Sequence, residues 1–276
     1  MNRYLKLVNF EFNRLWKLFL ILAGMIVFFQ IIGVIFEAQS YVNLANELIY
    51  HELMSKSEFF QQNGKLSLAT IAMTMWFMIP IALSIAVLLI YIFFTWYREW
   101  LGKNAFSYRL FMLPTARINI YLAKATTIFI VVLSLIALQL LLLPVESQVL
   151  QWMVPKEFRI DASIYGITET YYFKILYPNT FREFLLYYGG GMTAVLMVFT
   201  AILFERSFRI KGIFYGIIYV SLSLVIFFAP LLVNVFILNN FLYPMELFFM
   251  ELLAGLIVLA GAILTGHFLI KNKVKV

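Results

Sequence analysis

Six long apolar runs, separated by polar and charged connections, set the pattern of this chain. They cover Leu18–Phe36, Ile71–Thr95, Leu122–Leu143, Phe184–Phe204, Ile213–Leu238 and Leu247–Ile270. A helix needs ~20 predominantly apolar residues to cross the hydrocarbon of a bilayer, so each run is long enough to span. The pattern predicts an all-α, polytopic integral membrane protein with six transmembrane helices, and residues 1–276 are expected to form a single transmembrane domain. Ahead of the first run, residues 3–17 read as an amphipathic helix. At a helical period Tyr4, Leu5, Val8, Phe12, Leu15 and Trp16 share one arc, with Arg3, Lys6, Asn9, Asn13 and Lys17 opposite. Leu7, Phe10 and Glu11 break that arc. A basic helix with an apolar face beside a span is expected to lie in the membrane interface.

The connections differ in length and character. Glu37–Thr70 is polar and acidic, and Pro144–Arg182 carries the breakers Pro144, Pro155, Gly166 and Pro178. Asn239–Glu246, by contrast, is a very short turn with Pro244 in it.

Charge then fixes an orientation. Of the 21 Lys and Arg, 15 fall in the N-terminal segment, the second-to-third and fourth-to-fifth connections and the tail. Only Glu11, Glu99 and Glu205 accompany them, so that side carries +12 and the other −5. Lysine and arginine are enriched in cytoplasmic loops, which predicts both termini in the cytoplasm. The basic balance is thus a topology signal, and no nucleic-acid partner is expected from charges scattered over short loops. Hydrophobic residues make up 63% of the chain and charged ones 13%, against roughly 25% charged in a soluble domain. The absence of cysteine excludes disulfides and thiolate metal sites. The N-terminus lacks the form of a cleavable signal peptide, so the first run is expected to remain as a span.

The polar groups inside the runs that stand out are Gln30, Ser84, Gln139, Asn234, Glu251 and His267. Gln30, Gln139 and Asn234 are expected to hydrogen-bond between helices, and Gln30 and Asn234 are also candidate pathway-lining residues. Glu251 and His267 fall near span ends, where solvation reaches them. Pro80 and Pro230 should bend their helices, and Gly212 with Gly216, and Ala262 with Gly266, have the small-xxx-small spacing of close helix contacts. No catalytic residues, metal ligands or bound cofactors are expected: His51 and His267 have no ligand partner at a metal-binding spacing. There is no Walker-type phosphate loop and no connection large enough for an ATPase, so any ATP and Mg must be handled by another chain.

The connection between the second and third runs reads Arg98-Glu99-Trp100-Leu101-Gly102-Lys103, then Tyr108-Arg109-Leu110-Phe111-Met112-Leu113-Pro114-Thr115-Ala116-Arg117, then Leu122-Ala123-Lys124. This order of an acidic residue, a glycine, a leucine-proline stretch ending in arginine and a lysine resembles the ABC-2 type transporter permeases. The six spans, the interfacial helix and the cytoplasmic termini resemble that family too. The resemblance implies the membrane-spanning permease of an ABC transporter in a bacterial plasma membrane. It implies two copies of a separate ATPase subunit, a second permease chain, identical or paralogous, and surrounding membrane lipids. It further implies that Arg98, Glu99, Gly102, Arg109, Pro114 and Arg117 couple the permease to the ATPase. Proline would divide the loop into two pieces, and the arginines can make charge-assisted contacts. The function so implied is export. With no fixed charge lining the spans, the expected cargo is amphiphilic or hydrophobic: a peptide, an antibiotic or a lipid-linked molecule. The alternatives are a secondary transporter or channel driven by an ion gradient, which would need buried charge or broken helices at mid-membrane, and a membrane sensor or scaffold.

Overall fold

The computed structural model describes residues 3–100, 110, 112, 115–161, 163–168 and 173–273. Helices account for nearly all of it. In chain order they are α1 (Arg3–Asn46), α2 (Lys56–Asn63), α3 (Leu68–Ile71), α4 (Met75–Trp100), α5 (Ile118–Met153), α6 (Ile164–Thr168), α7 (Phe173–Leu176), α8 (Phe181–Phe184), α9 (Gly190–Phe208), α10 (Ile210–Phe236) and α11 (Pro244–Asn272). Five of these, and the α8–α9 pair joined by a wide turn over Leu185–Gly189, give six helical segments long and apolar enough to cross a membrane. The molecule is therefore a multi-pass, all-α membrane protein.

Two expected boundaries move. Residues 3–17 are helical, but no break separates them from the first apolar run: α1 is one helix of 44 residues, about 66 Å at 1.5 Å per residue. No Gly or Pro occurs before Gly24 to interrupt it. Its buried positions include Leu7, Val8, Glu11, Leu15, Leu22, Ile26, Gln30, Val34 and Ala38. Leu7 and Glu11, which break the apolar arc read from sequence, lie in this stripe, whereas Leu5 and Trp16 are exposed. The second shift is at Pro144. It was expected to open a connection, yet it lies inside α5, which runs on to Met153. A proline forfeits one helical hydrogen bond; Leu143, Leu150 and Val154, all buried at helical spacing around it, hold the helix together. Pro80 and Pro230 lie inside α4 and α10 as expected, and Ser84 Oγ donates to the Pro80 carbonyl at 2.7 Å.

By compactness the chain divides into two units, residues 1–14, 88–130 and 178–276 forming the first and 15–87 with 131–177 the second. The core of the second gathers Val34, Ala38, Leu68, Ile71, Ala72, Phe77, Leu143, Leu150, Val154, Ile167, Phe173 and Tyr177. A two-residue parallel ladder joins β1 (Leu66–Ser67) to β2 (Arg159–Ile160), Leu66 facing Arg159. The Arg159 guanidinium donates to the Val154 and Gln151 carbonyls at 2.6 and 3.1 Å, occupying acceptors that the end of α5 leaves open. Ser55 and Glu58 form a capping box at the start of α2, and the exposed Lys56 ammonium meets Glu157 at 2.8 Å.

In the first unit α9 and α10 form a hairpin turning at Arg209 (φ 56°). A Cβ on Gly212 would lie 2.0 Å from the Phe204 carbonyl oxygen, and one on Gly216 3.1 Å from that of Ala201. The first small-residue pair is thus a close-packing seam. The second, on α11, meets Tyr121 of α5: a Cβ on Gly266 would approach that ring to 3.1 Å. The Tyr121 hydroxyl donates to the Leu196 carbonyl at 2.8 Å, and Thr200 Oγ1 donates to the Ala262 carbonyl at 3.1 Å.

Candidate functional site

The most unusual chemistry in the first unit is a cluster of five charges, three of them buried. Glu11 and Arg14 sit one turn apart on α1; Arg98 and Glu99 close α4; Lys124 stands near the start of α5. Lys124 Nζ donates to Glu11 Oε1 at 2.7 Å, Glu99 Oε1 at 2.9 Å and the Thr95 carbonyl at 3.1 Å. An ammonium has three protons to donate, and here each has an acceptor. Arg14 reaches Glu99 Oε1 at 2.6 Å, and Arg98 reaches Glu11 Oε2 at 2.9 Å. Lys124 and Glu99 are each 1% exposed and Glu11 3%. Taking a single charge out of water costs several kcal/mol. These five survive because each carboxylate faces more than one cation and the lysine is saturated.

Aromatic faces complete the surroundings. The Trp96 ring lies 5.6 Å from Lys124 Nζ, and the Arg98 guanidinium lies over Tyr91 at 5.6 Å. A second fastening holds the end of α4 to α9. The Tyr97 hydroxyl donates to Glu205, and the Arg206 guanidinium stands 4.9 Å from the Tyr97 ring and 4.8 Å from that of Trp100. Arg117 NH1 donates to the Ile270 carbonyl of α11 at 3.2 Å. The chain between residues 101 and 117 thus leaves from, and returns to, strongly fixed helix ends.

Of the residues expected to couple to a partner, Arg98, Glu99 and Arg117 are placed, while Gly102, Arg109 and Pro114 lie outside the described residues. The placed ones do not stand free. Glu99, expected at a partner's surface, is buried inside the cluster, because Lys124 and Arg14 supply the cations that make its burial tolerable. Glu11 and Arg14 were missed as site residues. Their one sequence signal is Glu11 itself, the carboxylate that interrupts the apolar arc.

The two candidate pathway-lining residues are also engaged within the chain. Gln30 and Gln139 exchange two hydrogen bonds of 2.9 Å, side amide to side amide, between α1 and α5 in the second unit. Gln30 is fully buried. Asn234 secures the turn into α11: its Oδ1 accepts from Leu242 N at 3.2 Å and its carbonyl from Asn240 N at 2.8 Å. That turn needs positive φ at Asn239 and Asn240, which asparagine adopts more readily than most residues. His267 is exposed and Glu251 half-buried. Among the described residues no group of three or more acidic or histidine side chains could hold a metal ion. Within the charged cluster every proton of Lys124 already has an acceptor. What the cluster provides is mechanical: a rigid charged joint among three helices.

The class defined by the fold is the multi-pass α-helical membrane protein. Compared with protein-family models, with curated proteins and with solved structures, the chain matches none.

Proposed function

We propose that this chain is the membrane-spanning permease subunit of an ATP-driven transporter of the ABC-2 type. It works in a bacterial plasma membrane with two copies of a separate ATPase subunit and a second permease chain, identical or paralogous. Its cargo is an amphiphilic or hydrophobic molecule moved outward. The observation that carries this reading is Lys124 saturated by Glu11, Glu99 and Thr95, which fastens α1, α4 and α5 together. A motor subunit outside the membrane does work only through a segment whose ends cannot yield. The connection 101–117 is tied at one end by this cluster and by the Tyr97–Glu205 bond, and at the other by Arg117. In this form Arg98 and Glu99 act by holding the lever's base, and contact with the ATPase falls to the intervening residues, Arg109 among them.

The test is coexpression with a Walker-motif ATPase encoded beside this gene, followed by copurification and ATPase assay in nanodiscs. Arg109→Glu should weaken assembly while leaving the permease folded. Glu99→Gln should keep assembly but lower cargo-stimulated hydrolysis. Unchanged assembly and turnover in both variants would overturn the reading.

A buried carboxylate at Glu146, in α5, favours a second reading as an ion-driven secondary transporter. Flux in liposomes that follows a proton gradient without nucleotide would select it.

A further inference from the structure

Glu146 lies in the second unit, two helical turns beyond Gln139 on the same face of α5. Leu143 and Leu150 flank it at one-turn spacings, both buried in the apolar core of that unit. Its side chain is wholly inaccessible, and neither carboxylate oxygen has a hydrogen-bond partner among the described residues. The titratable and charged groups on the elements that build this core are few. Glu37 and Tyr41 on α1 are half-buried, and the Tyr41 hydroxyl is given to the Gly64 carbonyl. Tyr165 on α6 and Lys174 on α7 are exposed, and Tyr177, just past α7, is buried. Beside Phe158, which packs on the same core, Lys156 is exposed, Glu157 is held by Lys56, and the Arg159 guanidinium is given to Asp161 and to the Gln151 and Val154 carbonyls. α3 and the part of α4 in this unit contribute none. No described cation answers Glu146, in contrast to Glu11 and Glu99, each of which faces cations within 3 Å.

We propose that Glu146 is a proton-binding site: its carboxyl holds one proton in the resting protein, and loss of that proton loosens the core of the second unit. A bare carboxylate in an apolar interior gives up its hydration with nothing in return, whereas the protonated acid asks for far less. A metal cation is a poor occupant, because hard cations take six or more oxygen ligands and Glu146 offers two. The proton needs a single oxygen. When it leaves, the charge must gain water, and the available route is parting of the surrounding helices. Pro144, one residue from Val145 and two from Glu146, has already removed one hydrogen bond from this stretch of α5, so the helix is weakest where that opening would start. This inference does not depend on the ATPase reading.

Infrared difference spectroscopy of the full chain in nanodiscs tests it directly. Wild type at neutral pH should show a protonated-carboxyl C=O band that fades on alkaline titration and is missing in Glu146→Gln. Hydrogen exchange supplies the independent measurement. With the intrinsic pH dependence of exchange divided out, amides around Val34, Leu143 and Leu150 should lose at least tenfold of their protection in wild type once the band has gone, while Glu146→Gln keeps its protection throughout. Should wild type show only the ionised carboxylate band at neutral pH, or should its exchange stay as slow as the glutamine variant's after deprotonation, the proposal fails. Absence of nucleotide-driven transport in a wild-type protein that shows the band would count against the ATPase reading alone.

Discussion

Lys124 Nζ lies 2.7 Å from Glu11 Oε1, although 113 residues separate the two. That contact fixes the first turns of α1 against α5 and makes the charged joint a unit. Removing one member of a buried ionic set leaves the others uncompensated, at a cost of ~3–5 kcal/mol. Lys124→Met should therefore destabilise strongly in unfolding titrations in mixed micelles. Arg14→Gln, at the more open edge with 26% side-chain exposure, should lose about 1 kcal/mol or less. Adding Glu99→Gln to Lys124→Met should recover part of the loss. Trp96, 5.6 Å from the ammonium, gives a fluorescence signal for the same titration. A Lys124→Met protein as resistant as wild type would mean that the joint contributes nothing to stability.

The reciprocal Gln30–Gln139 pair makes a different prediction, because it is neutral. Gln30→Leu strands the Gln139 amide in the core of the second unit and should cost ~1–2 kcal/mol. Gln30→Leu with Gln139→Leu removes the stranded group and should return close to wild type. A double-mutant cycle yielding no coupling energy would show that the amides find other partners.

The sequence made the six spans legible because bilayer thickness imposes one length on all of them, and composition alone reports it. The ends of the helices were less legible. A run of hydropathy stops where polar residues begin, but a helix stops where its backbone loses partners. Thus α5 passes Pro144 to the carbonyls capped by Arg159, and α1 passes through the boundary expected after Lys17. The charged joint was half visible. Glu99 and Lys124 stood out in the second-to-third connection, and Glu11 stood out as a flaw in an apolar face. What could not be read was that these three meet, because their pairing spans 25 to 113 residues and depends on how helices lie side by side. Glu146 was hidden for a related reason: once Pro144 is taken as a helix end, the carboxylate after it looks solvated.

The Lys56–Glu157 pair gives a pH prediction outside the spans. Its bond to Lys56 holds the Glu157 carboxyl below the ordinary glutamate value of 4.5, and the same bond raises Lys56 above the ordinary lysine value of 10.5. The glutamate's contribution is complete above its unfolded pKa and fades as pH falls through the lower folded one. The lysine's contribution is complete below its unfolded pKa and fades as pH rises through the higher folded one. The pairing of α2 with the segment before β2 should therefore be constant across neutral pH and weaken at both extremes. Both groups are exposed, so the effect on global stability is small. A pair of spin labels placed at Ser57 and Lys156 should report it through the fraction of short inter-label distances, flat for wild type between the two edges and lower throughout in Glu157→Gln. A wild-type profile that rises steadily with pH would contradict the pairing.

Close packing at Gly212 yields the last prediction. A methyl group there would sit 2.0 Å from the Phe204 carbonyl oxygen and 2.6 Å from its carbonyl carbon. Both are backbone atoms, so no rotamer change relieves the overlap, and the α9–α10 hairpin would have to open. Overpacking of this kind typically costs ~1–3 kcal/mol, so Gly212→Ala should lower the unfolding midpoint and Gly212→Val lower it further. Gly191, on α9, is the matched control: a Cβ there meets nothing within 4 Å. Replacing a helical glycine by alanine gains up to ~1 kcal/mol in propensity, so Gly191→Ala should be neutral or slightly stabilising. If Gly212→Ala matched Gly191→Ala in the same unfolding assay, the hairpin would have slack that the backbone contact at Phe204 denies.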